Sequence, residues 1–328
     1  MPGVSIVSGL DRLQRRHPKI GLPIAVVYKY VDDSGGYLAA LITYYAFVSL
    51  FPLLLVFATV LGLVLSGHAG LQHRIEASAL SQFPVIGPEL GQPGRIGGGT
   101  VGLVVGVLGA LYGGLGVAQA LQYAMNTAWA VPRNNRADPI KGRGVSLLIL
   151  GTVGVAVLGT TALSVLGTSH VGSLDVLLRV GLVTGSVLLN AAVCLFVFRL
   201  APARRLTFRS VLPGALIAAV GWQLLQSFGV TYVAHVVKNA SATNSVFAVV
   251  LGSLAFLYLA AVTTVICVEI NVVRVDRLYP RALLTPFTDN VDLTPGDERA
   301  YTGQAEAQRA KGFEDIDVTF NRDDGKGP

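Results

Sequence analysis

Glu269 closes the chain's last long uncharged run, two residues before Asn271 and five before Arg274. A bare carboxylate at the edge of an apolar segment needs a partner or a proton. It is therefore a candidate gate or proton-coupling residue. Arg274 is about one helical turn away, and Arg204, Arg205 and Arg143 of neighbouring basic segments are the other expected partners. The competing reading is an exposed ion pair that fixes a helix end, worth about 0–1 kcal/mol. Other polar groups also stand in apolar surroundings. Gln119, Gln122, Tyr123 and Asn126 recur at spacings that share one helical face. Gln223 and Gln226 make a similar stripe beside Trp222, and Asn190 sits in the middle of another uncharged run. Such groups have two uses: hydrogen bonds between helices, about 1 kcal/mol each, or a polar track along which a headgroup or small solute passes.

Catalytic constellations are missing. The sequence has no H-E-x-x-H, Walker loop or G-x-S-x-G, and its histidines fall in separate segments. Cys194 and Cys267 lie inside apolar runs, where they read as small buried hydrophobes. Two cysteines without clustered histidines make no metal site. No cofactor, metal or enzymatic activity is expected.

The elements that must carry these residues are set by charge. Six runs, 37–66, 100–131, 145–169, 180–198, 210–237 and 245–268, hold almost no charged residues. Each reaches roughly the 20 apolar residues that a helix needs to cross a bilayer. Only a helix satisfies its own backbone there. Hydrophobic residues make up 52% of the chain and charged residues 13%, against about 25% charged in a soluble domain. The expected fold is all-α: a polytopic membrane protein with a six-transmembrane-helix bundle and an N-terminal interfacial helix.

Basic residues alternate between the loops. Arg12, Arg15, Arg16, Lys19 and Lys29 precede the first run. Arg133, Arg136, Lys141 and Arg143 follow the second, Arg199, Arg204, Arg205 and Arg209 the fourth, and Arg274, Arg277 and Arg281 the sixth. The intervening loops hold only Arg74, Arg95, Arg179 and Lys238. Positively charged loops stay inside, so both termini are expected in the cytoplasm of a multi-pass membrane protein. The same rule accounts for the net charge of +6 without a nucleic-acid partner. Anionic lipid headgroups are the expected neighbours of the basic rim.

Three regions follow. Residues 1–36 form a cytoplasmic segment, with Pro23 at the start of the short interfacial helix and Asp32–Gly36 as the corner into the membrane. Residues 37–279 form the membrane domain, whose first helix should kink at Pro52. Residues 280–328, acidic and rich in Asp, Gly and Gln, read as a disordered cytoplasmic tail. The long first external loop carries a candidate amphipathic helix from Leu71, ended by Pro84. Gly102 with Gly106, Gly109 with Gly113, and Gly181 with Gly185 are GxxxG pairs. They serve close packing within the bundle, with homo-oligomerisation as the competing use.

Residues 37–54, from Tyr37 through Tyr44-Tyr45-Ala46-Phe47 to Phe51-Pro52-Leu53-Leu54, resemble the opening signature of the YihY/BrkB family of bacterial inner-membrane proteins. Leu212-Pro213-Gly214-Ala215-Leu216, followed by Trp222 and Phe228, resembles the family's fifth helix. The stretch from Ser245 to Val268-Glu269-Ile270-Asn271 resembles its last. The resemblance implies a six-helix cytoplasmic-membrane protein tied to envelope functions, among them a serum-resistance virulence factor and a subgroup, YhjD, proposed to export lipid. A former ribonuclease name in that family finds no catalytic cluster here.

Two functional expectations stand together. One is a transporter or lipid-translocating protein for an envelope component. No ATP-binding motif is present, so its energy would come from an ion gradient or a partner. The other is a non-transporting scaffold or regulator of envelope machinery, with the acidic tail as its docking segment.

Overall fold

A computed structural model describes residues 11, 14–64, 99–167, 175–236, 242–283 and 291–320. It is helical, with no strand among the described residues. A 3-10 turn, Pro18–Gly21, leads into α1, Leu22–Asp32. The long helices follow: α2 Gly35–Val64, α3 Gly99–Ala128, α4 Pro139–Gly167, α5 Asp175–Leu200, α6 Phe208–Val236 and α7 Ala242–Val275. A last helix, α8, covers Pro295–Glu306.

Among the described residues, five stretches are long and apolar enough to cross a membrane: Val104–Ala128, Pro139–Thr160, Val180–Leu200, Phe208–Gly229 and Val250–Val275. In α2 the corresponding apolar stretch is Gly35–Leu50, although the helix runs for 30 residues, about 45 Å. The expected external helix from Leu71 lies outside the described residues.

Each long helix packs on the next, and α7 returns to α2, so the six close into a ring. α7 also touches α1 and α3, which makes it the most connected element. The four basic segments meet at one end of this ring. The backbone N–H of Ala203 donates to Asn126 Oδ1 at 2.7 Å, Arg204 pairs with Asp276 at 2.8 Å, and Arg281 pairs with Asp32 at 2.9 Å. Arg133 N donates to Ala307 O at 3.2 Å. Consecutive helices therefore alternate in direction, as the charge pattern requires.

Glycine sets the closest approach. A Cβ added at Gly113 would stand 2.4 Å from Ser49 Cβ, and one at Gly116 would stand 2.2 Å from the Tyr45 ring. One at Gly109 would stand 2.9 Å from the Pro52 ring. α3 thus lays a glycine face on Tyr45, Ser49 and Pro52 of α2. The Gly109–Gly113 pair serves packing inside the bundle. Gly181 and Gly185 differ: an added Cβ meets nothing within 4 Å at either. α2 stays helical through Pro52 to Val64.

α1 ends in a tight corner. Ser34 adopts a positive φ of 56°, and Gly35 begins α2 where a Cβ would stand 2.3 Å from the Tyr30 ring. The expected corner at 32–36 is present, with α1 running one residue into it.

The expected disorder from Pro280 onward does not hold for residues 291–320. Thr294-Pro295-Gly296-Asp297 closes a capping box. Asp297 N donates to Thr294 Oγ1 at 3.2 Å, and Thr294 N donates to Asp297 Oδ2 at 2.9 Å. The box satisfies orphan amides at the start of α8, and Pro295 occupies a first-turn position that needs no donor. Composition read the segment as solvated because its order comes from caps and ion pairs, which leave no apolar periodicity.

Placing Ala at Gly113 should lower the unfolding temperature in detergent by an overpacking cost of about 1–3 kcal/mol. Gly181→Ala should leave it nearly unchanged. Equal effects at the two positions would contradict the glycine-face packing of α2 on α3.

Candidate functional site at the basic end of the ring

The C-terminal ends of α1 and α7 bury an ionic cluster. Glu269 of α7 is fully buried, Lys29 of α1 is 2% exposed and Asp33 is 7% exposed. Lys29 lies four residues before Asp33, so one helical turn brings their side chains together. Lys29 Nζ donates to Asp33 Oδ2, and the same nitrogen stands 3.9 Å from Glu269 Oε2. That separation is an ion pair but too long for a hydrogen bond. Neither Glu269 oxygen accepts from an N–H or hydroxyl among the described residues, and the Asp33 carboxyl lies beside it.

Burial opposes the Lys29 charge, but Glu269 and Asp33 outweigh it and hold the ammonium above its ordinary range. Burial pushes the Asp33 carboxyl above the usual carboxylate range, against the pull of Lys29. The two carboxylates share one cation, so the cluster carries an excess of negative charge whenever both are ionised.

A second ionic group adjoins the first. Arg281 is fully buried. Its Nε donates to Asp297 Oδ1 at 2.5 Å and its Nη2 to Asp32 Oδ2 at 2.9 Å. Its guanidinium also lies 5.3 Å from the Tyr301 ring. Gln304 Nε2 of α8 donates to Asp33 Oδ1 at 3.2 Å, which joins the two groups.

The partners expected for Glu269 are engaged elsewhere. Arg204 is bidentate to Asp276 and lies 5.0 Å over the Trp129 ring. Arg274 Nη2 donates to Arg209 O at 2.8 Å and to Ser210 O at 2.7 Å. Those carbonyls need it because Pro213 has no N–H to return to Arg209 O. Asn271 completes the repair of α6: its Oδ1 accepts from Gly214 N at 2.9 Å and its Nδ2 donates to Val211 O at 3.1 Å. The absence of a side chain at Gly214 lets α7 approach, since a Cβ there would stand 2.2 Å from Cys267 O. The Pro213-Gly214 and Glu269-Asn271 motifs thus meet as one joint between α6 and α7. Glu269 is therefore a buried partner of Lys29, and the expected exposed pair with an arginine is corrected. Lys29 was readable only as a membrane-edge charge, because nothing along the chain shows which face of α1 meets α7.

The polar stripe of α3 divides. Gln122 is buried, and its Nε2 donates to Ser146 Oγ at 2.8 Å and to Gly142 O at 3.2 Å. Asn126 is buried against Ala203. Gln119 and Tyr123 are exposed on the outside of the described fold, and Arg136 lies 5.5 Å over the Tyr123 ring. Gln223, Gln226 and Asn190 are half-buried on α6 and α5, away from the ionic cluster. An open apolar groove of about 520 Å³ lies between α4 and α5, lined by Leu147, Gly151, Val155, Leu189, Ala192 and Val193 among others. None of the stripe residues lines it. Cys194 and Cys267 are free thiols, half-buried and buried. Among the described residues no group of His, Cys, Asp and Glu could hold a metal ion.

Comparison with known proteins gives this arrangement a family. The model of the family described as Virulence factor BrkB matches residues 26–288, and the chain belongs to that family. The inner membrane protein YhjD of Escherichia coli (strain K12) is 24% identical over 284 residues, which cover 80% of this chain and 83% of that protein. No solved structure matches. The matched residues run from α1 past the end of α7, so they contain Lys29, Asp33, Glu269, Asn271 and Arg281. The protein is a membrane protein with several transmembrane helices.

Lys29→Met should destabilise the fold by about 3–5 kcal/mol, because two carboxylates are then buried without their cation. Adding Glu269→Gln to that variant should recover part of the loss. Thermal unfolding of both purified variants in detergent measures this, and additive losses would rule out the coupling of Lys29 to Glu269.

Proposed function

We propose that the chain is an inner-membrane lipid-translocating protein acting on an envelope component, with Glu269 as a gating or proton-coupling group at its cytoplasmic end. The observation that carries the reading is the fully buried Glu269 carboxyl, which faces Lys29, lies beside the Asp33 carboxyl and accepts from no N–H or hydroxyl among the described residues. Purely structural carboxylates in such surroundings are normally hydrogen-bonded. Ionisable groups held inside membrane segments mark paths and proton relays.

The α4–α5 groove favours a lipid over a small polar solute. It is open, its lining is almost wholly apolar, and it sits on two helices suited to the hydrocarbon layer. Such a surface accepts an acyl chain and offers a solute nothing to bind. α2 counts as the sixth crossing in this reading. The basic end of the ring faces the cytoplasm, following the positive-inside rule.

A second reading is a non-transporting scaffold of envelope machinery. It is favoured by Gln122 and Asn126, whose amides are spent on holding α3 against α4 and the α5–α6 turn.

Purified protein in liposomes, assayed for transfer of fluorescent phospholipid between leaflets, separates the two. The lipid reading expects transfer that falls at least about tenfold in Glu269→Gln, as in loss of one transition-state interaction, at unchanged protein level. Inert vesicles would leave the scaffold. Reporter fusions at Arg136 and Arg205 should read cytoplasmic, and fusions at Glu76, Gly172 and Asn239 external. A cytoplasmic reading at Glu76 would remove the six-span topology.

A further inference from the structure

The segment from Thr294 to Arg309 crosses the basic end of the ring and touches three separate elements. Gln304 caps the free oxygen of Asp33, whose other oxygen takes Lys29, which in turn faces Glu269. Asp297 holds Arg281 beside Asp32, and Thr294 Oγ1 contacts Pro280 O at 2.6 Å. Gly296 lies so close to the chain after α7 that a Cβ would stand 2.3 Å from Pro280 O. Beyond α8, Arg133 N and Asn134 N donate to Ala307 O and Arg309 O, both at 3.2 Å. The attachment is polar almost throughout. Ala300 is the one residue of α8 in the buried apolar core.

That composition is informative. A helix held by burial is costly to lift, because its apolar area returns to water. A helix held by hydrogen bonds exchanges them for bonds to water, at a small net cost for neutral pairs and a larger one where a charged group takes part. Segments of that kind supply the opening elements of a fold. Here the segment seals the charged cluster from the side where water lies.

We propose that α8 and residues 307–309 form a lid over the Lys29–Asp33–Glu269 cluster, closed by the Gln304–Asp33 and Asp297–Arg281 contacts and lifted to admit water to Glu269. The lid rests on the reading of Glu269 as a gate for its purpose, but not for its test. In the closed state the carboxylate exchanges nothing with the cytoplasm. Lifting α8 exposes Asp33 first, then Lys29, then Glu269, in the order of their contacts. The lid makes opening of the inner end a property of the tail rather than of the membrane helices.

The test places one thiol at the cluster, as Glu269→Cys, in the full chain with Cys194 and Cys267 replaced by Ala. A membrane-impermeant maleimide is applied to the purified protein, and the labelled residue is located by peptide mass. The closed lid predicts slow labelling. Asp297→Asn and, separately, Gln304→Glu, which sets a second carboxylate against Asp33, should each raise the rate about tenfold or more, as expected for losing a charge-assisted contact of the closed state. A disulfide between Arg133→Cys and Ala307→Cys, where the two backbones touch, should restore slow labelling in the Gln304→Glu protein, and its reduction should abolish that protection. Fast labelling with the tail intact would overturn the lid. So would slow labelling in both loosened variants, or a disulfide without effect. None of these outcomes depends on lipid transfer, so a failed lid and a failed transport reading are told apart.

Discussion

Burying Glu269 is the constraint around which the basic end of the molecule is arranged. A carboxylate without water must find a cation or remain protonated, and several kcal/mol of desolvation enforce the choice. Its position near the C-terminal end of α7 sets it against a cation on the neighbouring element, Lys29 of α1. Lys29 is itself too costly to bury unless a second carboxylate helps, and Asp33, one turn along, supplies it. Asp33 then has a free oxygen in a sealed place, and Gln304 fills it from the tail. One buried charge thus recruits the pre-membrane helix, the corner into α2 and the post-membrane helix into a single polar body.

The same logic explains the joint between α6 and α7. Pro213 breaks the hydrogen-bond ladder of α6 near its start, where lipid offers no repair. Asn271 and Arg274, on either side of one turn of α7, restore the open backbone groups. Glu269 lies two residues before Asn271, so the clamp that fixes α7 against α6 also fixes the carboxylate against α1. Rigid placement through neighbouring hydrogen bonds is what a titrating group needs if its protonation is to be felt by other elements.

Much of the fold was legible because bilayer physics leaves few choices. Long uncharged runs can only be helices, and the alternation of Arg and Lys between loops placed Arg133, Arg204 and Arg281 at one end together, as found. Glu269 stood out for the same reason, as a charge where charge is expensive. Its partner did not, because the pairing depends on the rotation of α1 against α7, and α1 is too short for its periodicity to fix that rotation. The stripe of Gln119, Gln122, Tyr123 and Asn126 was legible as one face, but its division into buried locks and exposed groups follows from where α4 and the α5–α6 turn happen to lie. The tail was misread for a different reason. Thr294-Pro295-Gly296-Asp297 is a helix-start signature set in a polar, acidic stretch, so capping chemistry and composition point in opposite directions there.

Two kinds of order therefore meet in this protein. The ring of α2 to α7 is held by shape: glycines at 109, 113 and 116 admit neighbours that any side chain would exclude. Such contacts have one arrangement and resist intermediate ones. The basic end is held by charges and caps, each with water as an alternative partner. A structure of this kind moves where its bonds are exchangeable and stays still where its packing is not. Opening at the inner end would then leave the helix ring in place. It would also convert Glu269 from a dry carboxyl facing one ammonium into a wet one, with different electrostatic surroundings. In the lid reading the buried carboxylate is the point at which a local event on the tail would become a change in the electrostatics of the membrane domain.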